Sequence, residues 1–358
     1  MNGKTSAARG KRPLDARAYL IVGIAWLAAA ALLGVRFWAS GRIDPGFLAL
    51  TVDAQDRVWA IAKNQVFVTD GDGALLESAA LEELKVSGVV LDATSLGDGI
   101  ALLTREQLVK CSAAPVACRR IPLEEEIQDG KIAYSAARDE LALVDNGRDI
   151  VHLLDAVTGK RKSSSIEATT PLNRPNKPIF TSAALVVANT GGHALLKWSS
   201  RPGTPIDLST AATQILRTKA QPYYAVPDRD GGWLVLESGS MLANGSVARY
   251  GNGKTSSTVP TGLNDPVSLA TTSRGAVLLA GLDDRAIRIM NDGAPGRTFL
   301  RPDAAATVER HFSAGESFGK TSFMAGVAAA ISFLAPLLLL TLLGYNLNQA
   351  VGARAGSD

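Results

Sequence analysis

The sequence predicts an all-β fold, a six-bladed β-propeller flanked by one N-terminal and one C-terminal transmembrane helix. Three observations carry the prediction. Residues 266–301, PVSLATTSRGAVLLAGLDDRAIRIMNDGAPGRTFLR, hold four short strand-forming runs separated by turns rich in Gly, Asp and Pro, the pattern of an antiparallel meander. The same plan recurs in five further copies, at a period of roughly 35–45 residues. Two long uncharged stretches, 18–35 and 321–345, bracket the repeats. One four-stranded sheet has two faces to bury and cannot do so alone, so the copies must stack, and six of them close into a ring.

Taken in order, the first copy is FLALTVD, RVWAIAK, QVFVTD and ALLESA, over 47–81. The second, 88–123, reads GVVLDATS, GIALLT, QLVKCS and CRRIPL. The third, 131–165, is KIAYSAA, ELALVDN, IVHLLDA and KRKSSS; the fourth, 177–209, is KPIFTS, ALVVANT, ALLKWS and TPIDLS. YYAVPD, WLVLESG, VARYGN and SSTVPT, over 223–261, make the fifth. The turns AQD, LGD, ARD, DRDGG and SRG precede the second strand in five of the six copies. Second strands such as GIALLT and WLVLES are continuous apolar runs, as expected of strands covered on both faces by neighbouring blades. Last strands are the most polar, KRKSSS above all, as suits an outer edge.

Composition agrees with many small strands: aromatics are only 6% and glycines number 34. The net charge of +3 is local. Lys4, Arg9, Lys11, Arg12 and Arg17 face only Asp15 in the first 17 residues, while 36–320 is close to neutral. That middle lacks the general basic footprint of a nucleic-acid binder, so no nucleic-acid partner is expected. Cys111 and Cys118 are the only cysteines. They end a third strand and start a fourth, where a hairpin brings Cα atoms within bridging distance. A disulfide there requires an oxidising compartment; two reduced, half-buried thiols are the alternative. With no CxxC or Cys/His cluster, zinc is not expected.

The apolar stretch in 18–38 is long for a signal-peptide core, and its exit, Phe37-Trp38-Ala39-Ser40, carries Trp38 where cleavage wants a small residue. An uncleaved anchor is expected rather than a signal peptide. The 25 uncharged residues of 321–345 read as a second span. Excess basic charge in the tail 1–17 keeps that end in the cytoplasm. Two spans return the tail 346–358 to the same side and leave the propeller, 43–303, outside. The localisation expected is therefore a bacterial inner membrane, with both termini cytoplasmic and the propeller in the periplasm. Small residues at Gly23, Ala30 and Gly34 share one helical face, as do Gly326 and Ala330, with Ala325 and Ala329 alongside. Such faces let helices approach closely, against a background of Ala-rich composition. Pro336 is expected to kink the second helix. Residues 304–320 read either as a short amphipathic helix at the membrane surface or as a linker.

The units, above all PIFTSAALVVANTGGHALLKW and PVSLATTSRGAVLLAGLDDRAIRIM, resemble the NHL/SMP-30 group of six-bladed propellers over about 47–301. Val187-Ala188-Asn189 followed by Thr190-Gly191-Gly192-His193 is the best single match to that group's apolar strand and turn. The resemblance implies the fold. Its lactonases hold a divalent metal at the channel mouth through acidic and Asn side chains of several blades, and oxygen ligands suit Ca²⁺. Asp53, Asp92, Asp145, Asn189, Glu237 and Asp283 are the candidates here, read chiefly as turn formers and strand-end residues. Asp70-Gly71-Asp72-Gly73 resembles the start of a calcium loop, but the twelfth position is Leu81 rather than Glu. A tight turn is expected there and at 228–232. His152, His193 and His311 show no ligand spacing, and no nucleophile elbow or phosphate loop is present. No cofactor and no catalysis are expected. The function expected is a non-catalytic accessory or scaffold subunit of an inner-membrane complex, with other inner-membrane proteins as partners. A Ca²⁺-dependent lactonase and a small-ligand sensor are the alternatives.

Overall fold

The computed structural model describes residues 16–40, 46–112, 116–167, 170–201, 204–238, 245–251, 254–282, 284–290 and 296–355. The chain divides into two compact units, Met1–Ile43 with Ala314–Asp358, and Asp44–Ser313.

The described residues of the larger unit form six antiparallel sheets, each a meander in chain order. Blade 1 is β1 (Phe47–Val52), β2 (Val58–Ala62), β3 (Gln65–Thr69) and β4 (Leu75–Ala80). Blade 2 is β5 (Asp92–Ser95), β6 (Gly99–Leu103), β7 (Gln107–Ser112) and β8 (Ala117–Pro122). Blade 3 follows as β9 (Gly130–Ser135), β10 (Glu140–Asp145), β11 (Ile150–Asp155) and β12 (Arg161–Ser164). Blade 4 is β13 (Pro175–Thr181), β14 (Ala184–Asn189), β15 (Ala194–Ser199) and β16 (Thr213–Arg217). Blade 5 contains β17 (Gln221–Pro227), β18 (Trp233–Ser238), β19 (Ser246–Gly251) and β20 (Lys254–Pro260). Blade 6 has three strands, β21 (Pro266–Thr271), β22 (Val277–Gly281) and β23 (Ile287–Met290). First strands neighbour one another in the cyclic order β1, β5, β9, β13, β17, β21 and back to β1, so the blades close into a ring.

The core is divided the same way. Six apolar clusters fill the six interfaces between successive blades, including that between blades 6 and 1. Each second strand feeds two of them, because side chains alternate along a strand. In β2, Val58, Ala60 and Ala62 face blade 6, while Trp59 and Ile61 face blade 2. In β10, Leu141 and Leu143 face blade 2, while Ala142 and Val144 face blade 4. This is why those strands read as unbroken apolar runs. The recurring turn before the second strand has one cause: Asp56, Gly97, Asp139, Gly231 and Gly275 all take positive φ at that corner, in five of six blades. Gly and Asp enter this region at the least cost.

Two fourth strands depart from the sequence expectation. In blade 4 the strand is β16, not 204–209. Ile206 and Leu208 of that loop are buried and so mimic a strand, but Pro205 has no N–H to give to a ladder. In blade 6, 297–300 supplies only a bridge between Arg288 and Thr298, flanked by bonds from Ile289 N to Arg297 O and Phe299 N to Ile287 O. That stretch is instead drawn to blade 1: Gly73 comes so close to Phe299 O that a Cβ would sit 2.1 Å away, and Arg301 N donates to Gly73 O at 2.9 Å.

Among the described residues the ring closes without exchanging a strand between its first and last blades. Its seam is sealed by the start of α2 (Pro302–Ala355). Pro302 and Asp303 suit a helix N-terminus, and Ala305 N donates to Arg301 O. Ala304, Val308 and Phe312, one helical face, lie in the cluster between blades 1 and 6. The Phe312 ring meets Phe47 edge-on at 5.4 Å, with Arg285 over it at 5.8 Å. The stretch expected to be a membrane-surface helix or linker thus begins as propeller core. Hydrogen bonds from Ser273 N to Asp56 Oδ1 and an ion pair between Arg274 and Asp72 complete the seam.

In the smaller unit, α1 (Ala16–Ser40) runs antiparallel to the later part of α2. Trp26 meets Phe333 at 5.5 Å, and ten residues along, Ser322 Oγ donates to Arg36 O at 3.2 Å. The buried stripe is Ala29 against Ser322, Ala325 and Ala329. Gly326 lies under the Arg36 side chain. Gly23 and Gly34 have nothing within 4 Å of a Cβ position, and Ala30 and Ala330 are exposed. The packed face on α1 therefore lies one residue round from the small-residue face expected. α2 runs through Pro336 as one helix. Among the described residues one helix has an apolar portion long enough to cross a membrane, Pro302–Ala335; the apolar run of α1, Val22–Phe37, is shorter.

Cys111 and Cys118 form a disulfide, S–S 2.08 Å, between directly paired residues of β7 and β8. It closes a short loop on the outer hairpin of blade 2. Replacing both cysteines by serine, or reducing the full chain in mild detergent, is expected to cost about 2–3 kcal/mol from lost loop closure. Thermal unfolding with and without reductant measures it; equal midpoints would contradict it.

Candidate functional site

The axis of the ring is occupied by a buried ion pair. Lys177 Nζ, on β13 of blade 4, reaches Asp92 Oδ2, on β5 of blade 2, at 2.6 Å and also donates to Ala93 O at 3.1 Å. The same carboxylate oxygen accepts Ile132 N of blade 3 at 2.8 Å. On its other side the ammonium sits 4.9 Å from the Tyr224 ring centroid of blade 5. Tyr224 also interacts with Ser268 of blade 6, whose Oγ exchanges 3.1 Å bonds with Leu50 N and O of blade 1. Every first strand contributes to this network. It is buried: Lys177 is 4% exposed, Asp92 1% and Tyr224 7%.

Local backbone irregularity aims these groups inward. The register between first and second strands slips at Phe47/Ala49, Pro175/Pro178, Pro222/Tyr224 and Pro266/Ser268, near the same end of four blades. A bulge of this kind re-aims a side chain. Prolines 175, 222 and 266 open three of these strands, whose innermost edge has no ladder partner for an N–H.

Electrostatics fix the protonation of the plug. Burial works most strongly against the Lys177 charge, but the Asp92 carboxylate and Tyr224 together outweigh it and hold the ammonium's pKa above its ordinary value. Burial pushes the Tyr224 phenol up, against the pull of Lys177. A protonated lysine is no nucleophile and a protonated phenol no base. The axis has the chemistry of a staple.

The residues singled out from sequence do not converge. Asp53 is held in its own turn by Gln55 N and Arg57 N, pairs with Arg57 Nε at 2.7 Å and accepts Trp59 Nε1 at 2.9 Å. It also lies at the opposite end of the ring from Asp145, Asn189 and Glu237, since β1 ends where their second strands begin. Asp145 pairs with Arg148 at 3.3 Å, and burial raises its pKa. Asn189 Oδ1 accepts Asn173 N at 2.8 Å. Glu237, its pKa also raised by burial, accepts the Tyr250 hydroxyl. Asp283 lies outside the described residues. Only Asp92 joins the axial network. Among the described residues no group of three His, Cys, Asp or Glu side chains could hold a metal ion.

Asp70 Oδ1 accepts Asp72 N and Ala74 N, the tight turn expected. Asp228 likewise accepts Arg229 N and pairs with Arg249 at 2.9 Å. His193 takes positive φ in a turn, and His311 stacks edge-on against Phe67. Lys177, Tyr224 and Ser268 were missed from sequence because they come from three copies. Their signal was a polar residue at corresponding inner-strand positions: the lysine of NKPIF, the second tyrosine of PYYAV and the serine of PVSLA.

No protein-family description matches the chain, and no curated protein does. Among solved structures, virginiamycin B lyase from Staphylococcus aureus superposes with a TM-score of 0.50 at 11% identity, over 72% of this chain and 85% of that one. A streptogramin B lyase gives 0.48 at 13% identity, over 67% of this chain and 91% of that one. Glutaminyl cyclase from Myxococcus xanthus gives 0.40 at 12%, over 68% and 91% respectively. At such identities the likeness concerns fold alone. The larger unit is a six-bladed propeller, the fold that the resemblance to the NHL/SMP-30 group implied.

Proposed function

We propose that this chain is a membrane-anchored extracytoplasmic propeller that serves as a non-catalytic accessory or scaffold subunit of a bacterial inner-membrane complex. One observation carries the reading. Where lactonases of the resembling group converge acidic side chains on a metal, this ring sets a lysine ammonium against its one converging carboxylate, Asp92. The remaining acidic and Asn candidates described are bound within their own blades. A ring stapled at its axis offers its rims and outer edges, not its channel, to a partner.

Three observations support the placement. The antiparallel contacts of α1 with α2 suit a two-span hairpin with both ends on one side. The basic residues of 1–17 favour the cytoplasm for that side. The Cys111–Cys118 bond suits a propeller in the periplasm.

The test is purification of the full chain from membranes in mild detergent. Stoichiometric membrane-protein partners are expected. A clean monomer whose lactone hydrolysis disappears with chelator would overturn the proposal in favour of a Ca²⁺-dependent hydrolase.

A further inference from the structure

The connection between blades 2 and 3, LEEEIQD over 123–129, lies across the interface of those blades. Three backbone hydrogen bonds tie it down, from Leu123 N to Glu106 O at 2.9 Å, from Ile127 N to Arg105 O at 2.7 Å and from Asn146 N to Asp129 O at 2.8 Å. Beneath it is a cavity of about 30 Å³, lined by Leu123, Ile127, Leu143, His152, Leu154 and Arg161 among others. That volume admits about two waters. His152, in the middle of β11, is 5% exposed, and its Nδ1 has no hydrogen-bond partner.

The rim of the cavity is charged, and its charges are committed. Arg161, from β12, pairs with Glu125 at 3.1 Å and Glu124 at 3.9 Å. Arg148, from the turn between β10 and β11, pairs with the other oxygen of Glu125 and with Asp145, each at 3.3 Å. On β10 its register partner is Leu143, and opposite it on β12 stands Ser164. Two arginines, Arg148 and Arg161, and two carboxylates, Glu124 and Glu125, act on this histidine, already paired with each other.

We propose that His152 is an acid-operated latch: neutral, it lets the connection 123–129 close over the cavity; protonated, it releases that connection and uncovers Leu123 and Ile127. A proton on the ring would add a third cation beside Arg148 and Arg161 in a small, largely apolar space. It could be accommodated only by drawing Glu124 or Glu125 from its arginine or by letting the connection lift to admit water. The closed form resists the proton accordingly: burial first, then Arg161, pull the His152 pKa from 6.5 to about 4.

The sign follows from linkage. The open state binds the proton near the ordinary histidine pKa and the closed state only near 4, so closure is unaffected above about pH 6.5. Below that it weakens by up to about tenfold per pH unit, to about 160-fold at pH 4 and a limit of about 300-fold in stronger acid. The latch stands on these residues alone. The periplasmic placement proposed above would supply a variable pH, but its failure would leave the latch untouched.

The experiment is hydrogen exchange with mass spectrometry on the full chain in detergent micelles between pH 7 and 4, corrected for the intrinsic pH dependence of exchange. Peptides covering 123–129 should lose protection about tenfold per unit below pH 6.5, while the second strands of blades 2 and 3 keep theirs. The variant His152→Gln should remove that slope. A flat wild-type profile, or the same slope in the variant, overturns the latch. Exchange at the imidazole C2 carbon of the wild type gives the second readout, with His193 and His311 as internal references. A His152 titration near or above pH 6 overturns the proposal whatever the variant does.

Discussion

Replacing Lys177 by methionine should lower the unfolding free energy of the propeller by about 3–5 kcal/mol, the usual loss when one partner of a buried ion pair is removed. Methionine nearly conserves the length and bulk of the side chain, so little of the effect is cavity. What remains is the Asp92 carboxylate, 1% exposed and stripped of its cation. The double variant Asp92→Asn with Lys177→Met should be less destabilised than Lys177→Met alone. Asparagine still accepts the Ile132 N–H and leaves no buried charge, so the two changes must be non-additive. Thermal unfolding of the full chain in detergent reads both, with a shift on the order of 10 °C for the single variant. Additive losses, or a Lys177→Met variant as stable as the wild type, would mean that the axis is wet and the pair only a surface contact. The scaffold reading would then lose its main support.

Phe312→Ala is the second large effect, at about 3–5 kcal/mol for a fully buried aromatic truncated to alanine. The ring is 0% exposed and lies against Phe47, beneath Arg285. Because it fills the interface between the first and last blades, its loss should lower cooperative unfolding of the ring itself. Protease should also cut earlier in blades 1 and 6 than in blades 3 and 4. Phe312→Leu, which keeps most of the volume, should cost far less. Were residues 304–320 a linker, both variants would fall within about 0.5 kcal/mol of the wild type, as surface changes do. Closure by a helix in place of a shared strand makes this one side chain so consequential.

How much of this was legible beforehand depended on whether a feature is local. Strand period, turn chemistry and the unbroken apolar second strands are properties of neighbouring residues, and from them the six blades and the positive-φ corners at Asp56, Gly97, Asp139, Gly231 and Gly275 could be read. The disulfide was legible for the same reason, its cysteines lying seven residues apart in one hairpin. Residues 204–209 misled because Ile206 and Leu208 are buried with strand-like spacing while the ladder is made by β16. The acidic candidates misled because similar positions in a repeat need not point to a common centre.

What the amino-acid order determined by itself was therefore the number and nature of the units, because each sheet is built from contacts within about 40 residues. What only the tertiary structure decided was what happens where units meet. Lys177 and Asp92 are 85 residues apart in the chain and 2.6 Å apart in space, and Phe312 finds Phe47 across the whole ring. Those contacts follow from ring closure, which places distant residues together by geometry that no local pattern encodes.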